Sequence, residues 1–299
     1  MNKLKYPTIT QANILFFITA VITLISSSFF QSRLGLGTNL WINEFVYILF
    51  PPLLLARVNE WSVEDVYKFR KTSARNRVIS LLSGSSMWFF AFYVSKITRL
   101  FLDDKIGVLV INSQQANSSI YQNLLLLIGM IVLAPICEEI FFRGFVQKAY
   151  EGYSKRYGFV IAGLIFGSYH ILNGISEVIP ACILGLGMGY LVYKTNSIST
   201  SMLFHAVANI CAVFLGGAFE MSALNEIPVW LHIIAIVGLC FSVILLRSLN
   251  FEAQYNESDA EIHKDKKGSA TGVFFLILSI IFLVVVGILE ILVRLGVLK

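Results

Sequence analysis

The fold this sequence predicts is an all-α, polytopic membrane bundle of about eight or nine transmembrane helices, and three observations predict it. Hydrophobic residues make up 57% of the chain and charged residues only 14%. Mean hydropathy is +0.75, too high for a soluble globule, which needs far more polar surface. The apolar residues also gather into separate runs of about 20, the length that crosses a hydrocarbon layer of roughly 30 Å.

Taken in order, the runs lie near 12–31, 42–57, 78–98, 121–149, 157–173, 177–194, 198–216, 228–248 and 271–293. The first follows Lys3 and Lys5 and is long, with no A-x-A-like site at its end, so it reads as an uncleaved signal anchor. The second is interrupted by Pro51 and Pro52, which a buried helix tolerates only where neighbours satisfy the freed carbonyls. In the sixth, G-L-G-M-G at 185–189 has a small-xxx-small spacing that marks tight helix packing more often than dimerisation. The eighth opens with Trp230 and His232 at an interface, and the ninth carries Glu290 four residues before Arg294.

Three stretches between runs look polar: 59–77, 103–120 and 250–270. None is large enough to fold as a separate domain. The chain therefore divides into N-terminal membrane helices with a basic inner loop (1–119), a helical core (120–216), and C-terminal membrane helices with the polar linker 250–270 (217–299). The stretch 59–77, with Trp61, Val63, Val66 and Tyr67 among charges, reads either as an amphipathic surface helix or as a solvated loop that enforces topology. His263 sits in the linker and has no assigned role.

With nine spans and the N-terminus inside, only Arg33, Lys96, Arg99, Lys105, Arg294 and Lys299 of the 23 basic residues lie outside. That asymmetry favours a cytoplasmic N-terminus in a multi-pass cell-membrane protein. The net charge of +5 is then topological and suits an anionic inner leaflet. No aromatic-interleaved basic patch argues for nucleic acid. Cys137, Cys182, Cys211 and Cys240 all lie in apolar runs without paired spacing, and read as small buried residues.

Charged groups in lipid cost roughly 2.5–3.5 kcal/mol at a helix centre, so they face a bundle interior or a cavity. Glu138, Glu139 and Arg143 end the fourth run. Adjacent residues on a helix differ by about 100°, so the two glutamates are not expected to point at one small site. Glu139 lies four residues before Arg143, the favoured arrangement for an ion pair. Glu138, on the stripe of Pro135 and Phe142, lacks such a partner and is the better candidate for a general base. Phe166 and His170 are four apart in the fifth run, and His205 and Asn209 are four apart in the seventh. At 1.5 Å per residue their depths agree with that of Glu138 within about two turns. One cavity on the inner half of the bundle could gather a carboxylate, two imidazoles and an amide, a set able to activate water and steady an oxyanion.

The segments EEIFFR, FGSYH and HAVAN fit EExxxR, FxxxH and HxxxN in order. Over about 120–216 the chain thus resembles the CAAX protease and bacteriocin-processing (CPBP) family of intramembrane proteases. The resemblance implies an endopeptidase in which Glu138 and His170 polarise water and His205 and Asn209 stabilise the oxyanion. It also implies that Glu139 and Arg143 hold the helix and that Phe166 lines the core or cavity. One glutamate and two histidines, Glu138, His170 and His205, could equally make a zinc (Zn2+) set with an open position for water. No H-E-x-x-H occurs. The implied substrate is a peptide or membrane-associated protein, reached from the membrane or cytoplasmic side. A prenylated CAAX protein is implied only if the host prenylates proteins; the abundance of Ile, Asn, Lys, Ser and Phe points to an AT-rich bacterial gene, where peptide processing or bacteriocin self-immunity is the favoured setting. Two other classes fit the buried groups: a proton-coupled carrier using Glu138, His170 and His205 as a relay, and a non-catalytic scaffold. Against a carrier, no halved repeat is visible.

Overall fold

The computed structural model describes residues 6–109, 119–221, 226–251 and 269–298. Lys3, Lys5, His263 and most of the linker 250–270 lie outside the described residues. Among those described there is no strand. The helices are α1 (Ile9–Leu34), α2 (Leu36–Asn59), α3 (Val63–Tyr67), α4 (Ala74–Lys105), α5 (Ile120–Glu151), α6 (Lys155–Tyr169), α7 (Ile175–Thr195), α8 (Ile198–Phe219), α9 (Val229–Arg247) and α10 (Ala270–Arg294). Eight of these, all but α3 and α6, are long and apolar enough to cross a membrane. The expected span at 157–173 is instead the 15-residue α6 closed by a 3-10 turn at His170–Asn173. Gly174, at φ 125, ends that turn and starts α7, so α6 and α7 form a tight antiparallel pair.

Serine and threonine start many of these helices, because a side-chain oxygen can accept from an otherwise unpaired first-turn N–H. Thr8 and Gln11 form a reciprocal capping box on α1, and Ser73, Ser119, Ser154 and Ser269 cap α4, α5, α6 and α10. The break between α1 and α2 falls at Gly35, φ 84, where the Gln122 amide donates to Leu34 O and accepts from Thr38 N. One side chain from α5 thus satisfies both loose ends of that hinge.

Lipid offers little hydrophobic drive for helices to associate, so close backbone approach and hydrogen bonds hold the bundle. The 185–189 glycines serve that purpose, as expected. Gly185 packs on Gly163, Gly187 on Met87 and Phe204, and Gly189 on the Phe159 backbone. Their bare carbonyls become acceptors: Arg143 donates to Gly185 O at 3.2 Å and Gln147 to Gly189 O at 3.3 Å. Helices α9 and α10 present wide apolar faces outward, through Ile236, Val237, Ile244, Ile280, Ile281 and Val284. Cys240 lies on such a face and is exposed, whereas Cys137 and Cys211 are buried and Cys182 is half-buried; all four are free thiols.

The stretch 59–77 is neither a surface helix nor a solvated loop. Trp61, Val66 and Tyr67 are buried, and Tyr67 inserts against Gly144, where any larger residue would collide with its ring. Its hydroxyl donates to Pro52 O at 2.6 Å, and burial pushes the phenol's pKa up. Lys68, in a left-handed turn, reaches both oxygens of Glu151 at 2.7 and 2.8 Å. Ile198 N donates to Lys68 O and the Ser197 hydroxyl to Arg70 O, so this segment also anchors the start of α8.

Candidate active site

Helix α5 is not a uniform α-helix. Two wider π-helical turns, Gly129–Leu133 and Ile140–Val146, flank the short α-helical stretch Ala134–Glu139. Such turns recur at functional sites because they re-aim neighbouring side chains. In the first, Ala134 N–H donates to Gly129 O, five residues back. The next donor in that register would be the N–H of residue 135, which is proline. Met130 O is therefore left without a helix partner, and Asn209 Nδ2 donates to it at 2.7 Å. The same device recurs in α2. Tyr47 O, whose partners in either an α or a π register would be Pro51 or Pro52, accepts from the Thr19 hydroxyl at 3.2 Å.

Glu138 and Glu139 both end up at His205. Glu139 has no exposed surface, and its Oε1 accepts from Arg143 Nη1 at 2.7 Å and from His205 Nδ1 at 3.0 Å. The other ring nitrogen, Nε2, lies 3.8 Å from Glu138 Oε2. The wheel argument that adjacent glutamates cannot share a site thus fails here. An imidazole has two nitrogens on opposite edges, and α8 packs between the two carboxylate directions. Expected only to hold the helix, Glu139 also fixes the ring through Nδ1.

Arg143 is fully buried, with its guanidinium 4.3 Å over the Phe166 ring. Phe166 is the hub of the FxxxH motif, edge-on to His205 at 5.8 Å and tilted against His170 at 4.5 Å. His170 Nδ1 donates to Phe166 O at 2.9 Å, which in the neutral ring leaves Nε2 as an acceptor. The structure gathers Glu138, Glu139, Arg143, Phe166 and His205 tightly and adds His170 through Phe166. Asn209 is turned toward Met130, although its amide carries a second hydrogen. The imidazole it sets beside Glu138 is His205, whereas the resemblance implies His170. Among the described residues no three His, Cys, Asp or Glu side chains converge as a metal-holding group. In this arrangement Glu138, His170 and His205 do not converge as a zinc set. A cavity of about 290 Å3 between α4, α7 and α8, lined by Trp88, Phe92, Ser95, Lys96, Arg99 and Glu177 among others, contains none of the signature residues.

Sequence reasoning passed over Glu44, buried in the π-helical part of α2 with Oε2 unpaired. Its signal was available: an isolated carboxylate inside an apolar run, with no i+4 cation. The stripe Arg143, Gln147, Glu151 on α5 was also passed over as a unit. Gln147 donates to Glu151 at 2.9 Å, which extends the polar ladder from Gly185 O to Lys68. One minor expectation agrees with the structure: Glu290 pairs with Arg294 at 2.8 Å. His232 bonds Tyr93 at 2.8 Å.

A buried carboxylate facing an imidazole that a second carboxylate orients, inside a bundle of membrane-length helices, is the equipment of a membrane-embedded hydrolase. A family model described as Rce1-like, type II CAAX prenyl endopeptidase, matches residues 120–211. That segment carries all three motifs, and its similarity to the Rce1-like model supports a CAAX-type intramembrane protease in general. No curated protein and no solved structure matches the chain.

Proposed function

We propose that the chain is an intramembrane endopeptidase that hydrolyses a peptide bond with water activated by Glu138. The observation that carries this reading is His205 held between Glu139 and Glu138, with the Oε2 of Glu138 buried and unpaired. A carboxylate left without a protein partner in a dry site costs about 1–3 kcal/mol or more, and a reacting water is the partner that repays it. Glu138 takes a proton from water as the water oxygen adds to the scissile carbonyl. The same carboxyl then returns the proton to the leaving amine as the C–N bond breaks. His205, through the Nε2–H it carries when the ring is charged, and the second amide hydrogen of Asn209 would face the oxyanion, while His170 Nε2 offers a second acceptor to the water. Glu139 and Arg143 act as positioning residues. The substrate would be a peptide or lipid-associated protein entering from the membrane or cytoplasmic side, and secreted-peptide processing or bacteriocin self-immunity is the setting favoured by the composition.

The test compares membrane and secreted peptides from cells carrying wild-type protein, Glu138→Ala or His170→Ala at matched expression. Peptides lost in both variants identify the substrate and support the reading. An unchanged peptidome in both, with the cellular phenotype intact, overturns it in favour of a scaffold. Ion flux lost with Glu138, without any change in peptides, would favour the carrier.

A further inference from the structure

Helix α2 lies alongside α5 in close register. Gln122 and Leu125 pack on Gly37, Leu40 packs on Gly129, and Trp41 Nε1 donates to Leu125 O at 2.9 Å. One turn beyond Leu40 stands Glu44, in a π-helical segment that packs directly on the Ala134–Glu139 stretch. The carboxyl groups of Glu44 and Glu138 are within electrostatic reach of each other, and both act on Cys137 and Tyr169 as well. Glu44 is 3% exposed and Glu138 8%, and the Oε2 atom of each has no hydrogen-bond partner. The side chain beside Glu44, Asn43, also leaves its buried Oδ1 unpaired. Among the described residues no cation pairs with Glu44; the Arg143 charge is taken by Glu139 and Gly185 O.

Two buried carboxyl groups with idle oxygens each need a hydrogen-bond partner. One water molecule can bridge them, hydrogen-bonded to each carboxyl group and keeping a lone pair free for a carbonyl carbon. We propose that Glu44 is a further catalytic residue of this site, which holds the attacking water jointly with Glu138. The inference rests on the proposed endopeptidase function and deepens it. Glu138 still accepts the water proton and returns it to the amine; Glu44 holds the water from its other side and so aims the oxygen.

The test uses the full-length protein in detergent, an internally quenched prenylated CAAX peptide as probe, and the variants Glu44→Met and Glu138→Gln. Glu44→Met removes an unpaired buried carboxylate at similar volume, so the thermal midpoint is expected to hold or rise. Turnover should fall roughly 100-fold with KM little changed. Hydroxyl-radical footprinting gives a readout independent of cleavage. Cys137, buried beside both carboxylates, should be oxidised by radicals from a bound water in the wild type and several-fold less in Glu44→Met. Wild-type turnover in Glu44→Met beside an inactive Glu138→Gln overturns the assignment of Glu44. Equal Cys137 oxidation in both proteins overturns it too, whether or not the probe is cut. Glu138→Gln cutting as well as wild type overturns the endopeptidase reading instead.

Discussion

Replacing Glu139 by Gln should separate what that residue does for the fold from what it does for the reaction. Its carboxylate is the sole anion bonded to Arg143, whose guanidinium has no exposed surface and is otherwise held by Gly185 O at 3.2 Å and by the Phe166 face at 4.3 Å. The glutamine leaves a buried cation without a counter-charge. Breaking such a pair from one side costs about 3–5 kcal/mol. Removing both charges in Glu139→Gln/Arg143→Met is far milder, because exchanging a buried ion pair for apolar bulk is neutral or favourable by roughly 1–4 kcal/mol. Against that stands the donor lost to Gly185 O, about 1–3 kcal/mol. The double variant should therefore lie within about 2 kcal/mol of wild type. Cleavage should not recover with stability, since His205 Nδ1 still lacks its anionic acceptor; a deficit of roughly 100-fold or more is expected in both variants. Stability would be read by denaturant titration in mixed micelles and activity by cleavage of the peptide substrate. Activity returning together with stability in the double variant would refute a positioning role for Glu139 and leave it a packing residue.

Two further expectations follow from the geometry. Asn209→Leu leaves Met130 O unpaired, at a cost of about 1–3 kcal/mol, and adding Pro135→Ala should restore most of that by supplying the missing N–H. A double variant no more stable than Asn209→Leu alone would show that the carbonyl is not orphaned by the proline. In the segment before α4, burial pushes the Asp65 carboxyl up, but the Ser62 hydroxyl and Arg70, at 2.6 Å, outweigh it and hold its pKa below the ordinary value. A depressed folded value stabilises the segment fully above the unfolded pKa of roughly 3.9, and the gain is lost as pH falls through the folded value. Nicking of residues 60–72 by an acid protease should thus accelerate with acid in wild type and show a flatter profile in Asp65→Asn; identical profiles would remove Asp65 from the account.

The apolar runs made most of the helices legible, since length and composition alone decide what can cross lipid. Spacing within one helix made the Glu139–Arg143 pair legible too. What escaped depends on which helices meet. A wheel treats α5 as isolated, so it separates Glu138 from Glu139 and cannot foresee an imidazole on α8 serving both. Asn209 offered two amide hydrogens for an oxyanion; that one is used on Met130 O follows from a π-helical turn and a proline 74 residues earlier in the chain, a conjunction no local pattern encodes. Glu44 was passed over because it has no motif partner within its own run, although an isolated carboxylate there was itself a signal. The segment 59–77 was misread because its charges outnumber its aromatics, although Trp61, Val66 and Tyr67 decide where it packs.

The seating of that segment has a consequence for biogenesis. Tyr67 lies against Gly144 of α5, while the carbonyls of Lys68 and Arg70 receive the first residues of α8. During synthesis this short stretch emerges well over a hundred residues before Ile198, so it waits, unmatched on one side, while four more helices are made. The histidine facing Glu138 can arrive only when α8 docks there. Under the proposed function, helices inserted one by one would therefore remain chemically inert until that late docking event, and a nascent chain halted before residue 205 would carry both glutamates without hydrolytic capacity.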